Sequence, residues 1–149
     1  MSLLNLNDLY KTVILEHAQA PHHYGLQPDL PATTLNNPTC GDVLTVQLVV
    51  TANQITTLQF SSTGCTISQA SASVMTDVLL GKSVSEAQAL IAAFSKLVMG
   101  TPIAKHDRDQ LGDAAVLGSV AQFPTRIRCA TLAWHAAAQA LTEVTTDDQ

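Results

Sequence analysis

Apolar residues along this chain recur with two different periods, and the switch between them predicts an α+β domain. Leu6, Leu9, Tyr10, Val13, Ile14 and His17 lie at helical spacing, and Asn5 or Asn7 can cap the start, so the first element reads as an amphipathic helix ended by Pro21. From Pro21 to Pro38 the chain is punctuated by Pro28 and Pro31 and reads as a loop, with at most a short edge strand near Thr33–Leu35. The period then changes to two. Leu44, Val46, Leu48 and Val50 alternate with Thr45, Gln47 and Val49, which predicts a half-buried strand over Asp42–Val50; Asn53 marks a turn, and Ile55–Ser61 forms the return strand.

Helical spacing resumes at Thr66–Leu80 and is closed by Gly81. Ser83-Val84-Ser85-Glu86 is a capping box that opens a further helix to Val98, with Ala87, Leu90, Ile91, Phe94, Leu97 and Val98 on one face. Thr101–Gly112 is polar and holds Pro102, so it reads as a loop. A short helix is expected from Asp113 to Gln122, and a last one from Thr125 to about Glu143, with a frayed tail over Thr145–Gln149. The sum is a single domain over residues 1–149: a small antiparallel β-sheet packed against helices on one face.

Composition narrows the function classes. With 7 Lys+Arg against 12 Asp+Glu the net charge is −5, and aromatics make up 4% of the chain without clustering, so no nucleic-acid partner is expected. The opening Met1-Ser2-Leu3-Leu4-Asn5 has no basic stretch and soon meets Asp8, and no apolar run is long enough to span a bilayer; neither a signal peptide nor membrane attachment is expected. Three cysteines without an even framework fit a reducing compartment, and the cytoplasm is the expected location.

Those cysteines are the candidate chemistry. Cys40 is followed by Gly41 and Asp42, and side chains at i and i+2 of an extended segment point the same way, so Cys40 and Asp42 can face one ion. Cys65 follows Gly64 at a predicted helix N-terminus, where the macrodipole favours a thiolate, and Cys129 is placed in the first turn of the last helix. The strand pairing puts Cys40 and Cys65 near the same end of the hairpin. Cys40, Asp42, Cys65 and Cys129 together offer three thiolates and one carboxylate, a donor set suited to tetrahedral Zn²⁺, and Arg126 or Arg128 can offset the surplus negative charge. Any one of these cysteines alone reads as core. His22-His23, without a helical partner, reads as turn chemistry; His135 points away from Cys129; His17 reads as packed and His106 as part of a polar loop. None is assigned as a ligand.

Three motifs carry a family resemblance: Asn37-Pro38-Thr39-Cys40-Gly41-Asp42, Ser62-Thr63-Gly64-Cys65-Thr66-Ile67-Ser68-Gln69-Ala70-Ser71, and Arg126-Ile127-Arg128-Cys129-Ala130-Thr131-Leu132-Ala133-Trp134. With Ile14-Leu15-Glu16-His17 and Pro21-His22-His23-Tyr24-Gly25 they resemble the iron–sulfur cluster assembly proteins of the NifU N-terminal/IscU superfamily, from the first helix to about Leu141. Scaffold members of that superfamily carry a histidine before the last cysteine and a Leu-Pro-Pro-Val-Lys motif upstream of it. Here Arg128 and Phe123-Pro124-Thr125-Arg126-Ile127 stand in those places, and the segment Ser83–Lys105 resembles the insertion of the SufU-type branch.

The SufU-type resemblance implies a zinc-dependent sulfur acceptor, or sulfurtransferase, that takes persulfide sulfur from a SufS-type cysteine desulfurase and passes it to a downstream iron–sulfur scaffold. Cys40, Asp42, Cys65 and Cys129 would hold the zinc, and Cys40 would be the acceptor; the pyridoxal phosphate of the reaction belongs to the desulfurase. The alternative is an IscU-like scaffold that assembles an iron–sulfur cluster, with iron or the cluster in place of zinc; Arg128, which has no lone pair to offer iron, counts against it. A structural zinc in a binding module is a second alternative. A zinc hydrolase fits worse, because four protein donors leave no place for water.

Overall fold

The computed structural model describes residues 3–37 and 41–147, and within these the side chains of 3–9, 119, 122 and 145–147 are outside the description. Three strands form one antiparallel sheet in the order β1-β2-β3: β1 (Thr33–Asn37), β2 (Asp42–Thr51) and β3 (Gln54–Thr63). Leu44, Val46, Leu48, Ile55, Leu58 and Phe60 are buried beneath the helices, as the period-two pattern predicts. The tight β2–β3 turn has Ala52 and Asn53 both at positive φ, 53° and 66°, the twist that joins strands of a two-residue hairpin. A bulge between Val49 and Val50 breaks the alternation at the far end.

Two departures from the sequence expectation concern the sheet. The edge strand extends to Asn37, pairing Thr33 with Val46 and Asn37 with Asp42. The alternation of β2 also places Gln47 toward solvent, yet Gln47 is only 3% exposed. The proline-rich loop lies over it. The Gln47 carboxamide accepts from the Gln27 amide (2.8 Å) and from Gln59 Nε2 (2.7 Å), and donates to the carbonyls of Gln27 (2.7 Å) and Leu30 (3.1 Å). The same loop is tied to the free edge of β3 by hydrogen bonds from Gly25 N to Phe60 O and from Phe60 N to His23 O.

The described residues form five α-helices, α1 (Leu3–Gln19), α2 (Thr66–Leu79), α3 (Val84–Val98), α4 (Lys105–Leu111) and α5 (Pro124–Asp147), of which α2 and α5 pack on the other face of the sheet. α1 starts upstream of Asn5 and Asn7, so neither residue is a helix cap, contrary to expectation. The capping box at α3 is formed as expected, Ser83 Oγ accepting from Glu86 N and Glu86 Oε1 from Ser83 N. Its apolar face is buried, and Phe94 stacks on Trp134 of α5 with centroids 4.0 Å apart. The Trp134 indole donates to Ser71 Oγ, which in turn donates to Ala130 O, so α2 and α5 are joined by a satisfied polar contact in the core.

The segment read as a polar loop contains α4, a short helix with one buried residue, Leu111, and too little apolar periodicity to be recognised. The following stretch, Gly112–Gln122, is 3₁₀ rather than α. Leu111, Ala114, Leu117 and Val120 are all fully buried, a strict i, i+3 spacing that matches three residues per turn. α5 begins at Pro124, whose missing N–H is no loss at a first helical position. It continues through Asp147, beyond the Thr145 where fraying was expected; Thr33 Oγ1 donates to Glu143 and pins the last turns to β1. Among the described residues, no helix is long and apolar enough to cross a membrane.

Candidate metal centre

The end of β1, the start of β2, the end of β3 and the start of α2 converge at one end of the sheet. Asn37 pairs with Asp42 and Val43 with Thr63, so the first residue of β2 lies beside the turn that leads into α2. Gly41, at φ +73°, donates to Asn37 O at 2.8 Å. Cys40 lies outside the described residues, so its expected pairing with Asp42 around one ion rests on the sequence.

Cys65 is the N-cap of α2, with extended backbone, and its Sγ accepts from Ile67 N at 3.3 Å. The sulfur thus takes the place usually filled by a serine or aspartate oxygen at the positive end of the helix dipole. Asp42 is 1% exposed, and both its oxygens accept hydrogen bonds: Oδ1 from Cys65 N (2.7 Å) and Oδ2 from Ser68 Oγ (2.6 Å). These charge-assisted bonds orient the carboxylate. Gly64 makes the approach possible. At φ +125°, a Cβ there would overlap Asp42 Oδ1 and lie 3.0 Å from Asp42 Cα.

Cys129 completes the cluster from α5. It is the sixth residue of that helix, because the helix starts at Pro124, so it does not lie in the first turn as expected and gains less from the dipole. One ligand atom each from Asp42, Cys65 and Cys129 lies within 4.8 Å of the others, with Asp42 and Cys129 buried and Cys65 half-buried. Among the described residues no histidine joins this cluster. A carboxylate and two thiols so disposed fit a borderline-soft dication such as Zn²⁺.

The arginines expected to balance the charge are exposed. The Arg126 guanidinium sits over the Phe123 ring at 4.9 Å, and Arg128 lines a groove with Asn36, Asn37 and His135. His135 faces that groove and not the donor cluster. Beside Cys65 a more apolar groove of about 580 Å³ is lined by Tyr10, Ile14, Leu15, Ile67 and Arg126 among others. Ser68 and Gly64 are the site residues whose roles were not read from the sequence; Ser68, three residues beyond the N-cap on the same face of α2, was the available signal.

Residues 9–130 match the NifU-like N terminal domain family, and the chain belongs to it. The chain is 46% identical over 143 residues to the iron–sulfur cluster assembly scaffold protein IscU of Streptococcus pyogenes serotype M1, covering 95% of this chain and 87% of that protein. It is 38% identical over 132 residues to the zinc-dependent sulfurtransferase SufU of Bacillus subtilis (strain 168), covering 89% and 88%. Among solved structures, a putative iron–sulfur cluster assembly scaffold protein for the SUF system from Fervidobacterium islandicum AW-1 superposes with a TM-score of 0.82 at 25% identity, covering 90% of this chain and 97% of that one. The IscU/SufU-like fold read from the motifs is therefore the fold observed.

Proposed function

We propose that the protein is a zinc-dependent sulfur acceptor in iron–sulfur cluster assembly, taking persulfide sulfur from a SufS-type cysteine desulfurase through Cys40. The observation that carries this reading is the donor set. Among the described residues Asp42, Cys65 and Cys129 cluster without a histidine, Arg128 occupies the sequence position at which scaffold members of the superfamily carry one, and Cys40 is the one further thiol in the chain. Asp42, Cys65, Cys129 and Cys40 would hold Zn²⁺, which, when bound, keeps its thiols deprotonated at neutral pH without redox change.

Sulfur transfer needs little else from the chain. The Cys40 thiolate attacks the outer sulfur of the desulfurase persulfide; the new S–S bond forms on Cys40 as the old one breaks, and the desulfurase cysteine leaves as a thiolate. Asp42 is held by Cys65 N–H and the Ser68 hydroxyl, so it stays oriented while Cys40 is engaged elsewhere. The persulfide then passes to a downstream scaffold.

The scaffold reading has its own support in the 46% identity to a protein named IscU, and predicts a coloured, iron- and sulfide-bearing chain. Mass spectrometry after incubation with desulfurase and cysteine separates the two. The sulfur-acceptor reading expects an adduct of about 32 Da on the Cys40 peptide, lost together with desulfurase stimulation in Cys40→Ser, whose hydroxyl is not nucleophilic enough to take sulfur. An adduct on Cys65 or Cys129, or full stimulation by Cys40→Ser, would overturn it.

A further inference from the structure

A second group of metal-ligating side chains lies away from the thiol centre, where α1 and the loop after it pack on the C-terminal half of α2. Ligand atoms of His17, His22 and Asp77 lie within 4.8 Å of one another. Asp77 is twelve residues beyond the Cys65 cap, about 18 Å along the helix, so the two groups cannot share an ion.

The arrangement is built into the fold. His17, from α1, is 5% exposed and its Nδ1 lies 2.7 Å from Ser73 Oγ. The same Ser73 oxygen accepts from the His22 backbone N–H at 2.7 Å, which fixes the loop against α2. His23 takes the left-handed conformation, φ 57°, uncommon for a side chain of its size. That kink lets both neighbouring imidazoles turn to α2, His23 Nδ1 to Thr76 Oγ1 (2.9 Å) and His22 Nδ1 to Asp77 Oδ2 (2.5 Å). The His17 and His22 rings are 4.6 Å apart, and burial, with His22 beside it, holds the His17 imidazole below its ordinary pKa in spite of the carboxylates of Asp77, Asp113 and Glu16. A surface ion pair would need only His22 and Asp77.

We propose that His17, His22 and Asp77 form a second, exchangeable site for a late first-row divalent cation. Two imidazoles and one carboxylate select Zn²⁺, Co²⁺ or Ni²⁺ over Mg²⁺ and Ca²⁺, and the exposure of His22 and Asp77 leaves water on the remaining positions. A tetrahedral Zn²⁺ with bonds near 2.0–2.1 Å sets its donors about 3.3 Å apart, so the His22–Asp77 contact opens slightly and His17 closes. With Nε2 of His17 turned to the ion, Nδ1–H keeps Ser73 Oγ at 2.7 Å as its partner, the outer-shell support that metal-bound histidines use. The ion would tie α1, the following loop and α2 together.

The test is a Co²⁺ titration of the reduced full chain, free of any histidine tag, followed by proton NMR and absorption. Imidazole N–H protons on a Co²⁺ ligand are shifted far outside the normal window, and the Asp42–Cys65–Cys129 cluster holds no histidine, so such signals do not come from that cluster and the double variant assigns them. The expected result is shifted imidazole N–H signals in the wild type that are absent from His22→Gln/Asp77→Asn, with affinity at this site falling more than about 100-fold and thiolate-to-cobalt absorption unchanged. Both substituted residues are exposed, and the thiolate absorption reports that the variant is folded. No shifted imidazole signal, or signals that persist in the double variant, would overturn the proposal. Loss of thiolate absorption in the wild type would count against the zinc reading of the first centre and leave this one standing.

Discussion

Gly64→Ala tests how closely the donor cluster is built into the backbone. Gly64 sits at φ +125°, a region that residues with a Cβ avoid, and the strain of forcing alanine into it is about 1–3 kcal/mol. The added Cβ would also overlap Asp42 Oδ1, and nearby is Asp42 backbone, at 3.0 Å from its Cα, so a simple rotation of a flexible side chain does not relieve it. Displacing the carboxylate forfeits at least one charge-assisted hydrogen bond, from Cys65 N or Ser68 Oγ, worth about 1.5–3 kcal/mol. The sum is about 2.5–6 kcal/mol, which for a domain of this size lowers Tm by at least ~5 °C. Gly81→Ala separates the two contributions: Gly81 has φ +86°, but a Cβ there meets nothing within 4 Å, so only the backbone strain of about 1–3 kcal/mol applies. Thermal melts of both variants, with metal analysis of each as purified, check the reasoning. Gly64→Ala should melt below Gly81→Ala and bind markedly less metal, while Gly81→Ala keeps the wild-type content. If Gly64→Ala melts with Gly81→Ala and retains its metal, the carboxylate is not held where the geometry puts it.

Three further substitutions probe other parts of the molecule. Cys65→Ala and Cys129→Ala should each lose metal and lower Tm together, because the cluster ties β2, α2 and α5 and metal affinity in such a site is folding free energy; metal analysis paired with calorimetry checks this, and a metal-free variant that melts unchanged would refute it. Gln47→Ala removes the hydrogen bonds that hold residues 27–30 over the sheet and strands the Gln27 amide, a cost of about 1–3 kcal/mol that should appear as faster amide hydrogen exchange at Gln27 with metal content unchanged.

What the chain's residues determine locally was legible without the structure. The β2–β3 hairpin, α2 closed by Gly81 and the Ser83 capping box at α3 follow from periodicity and from side chains that satisfy their own neighbouring backbone groups. Asp42 and Cys65 were legible as candidates because residue type, adjacent glycine and, for Cys65, a helix start constrain a short segment, whereas Cys129 was legible from its residue type and the motif around it. The same local logic failed where long-range burial decides. Gln47 reads as a solvent-facing strand residue, and only the loop folding back over it makes it a buried hub of hydrogen bonds. The 3₁₀ stretch had its i, i+3 spacing in plain sight, but that spacing is compatible with an α-helix until packing fixes which residues are buried. Ser68 and the His17–His22–Asp77 cluster lie furthest beyond sequence reasoning. His17 and Asp77 are sixty positions apart, and nothing in a helical stripe or an exposed histidine pair says that α1 will cross α2 at Ser73. A side chain's type is local, but which others it meets depends on how helices and sheet pack to bury their apolar faces, and that is a property of the whole chain.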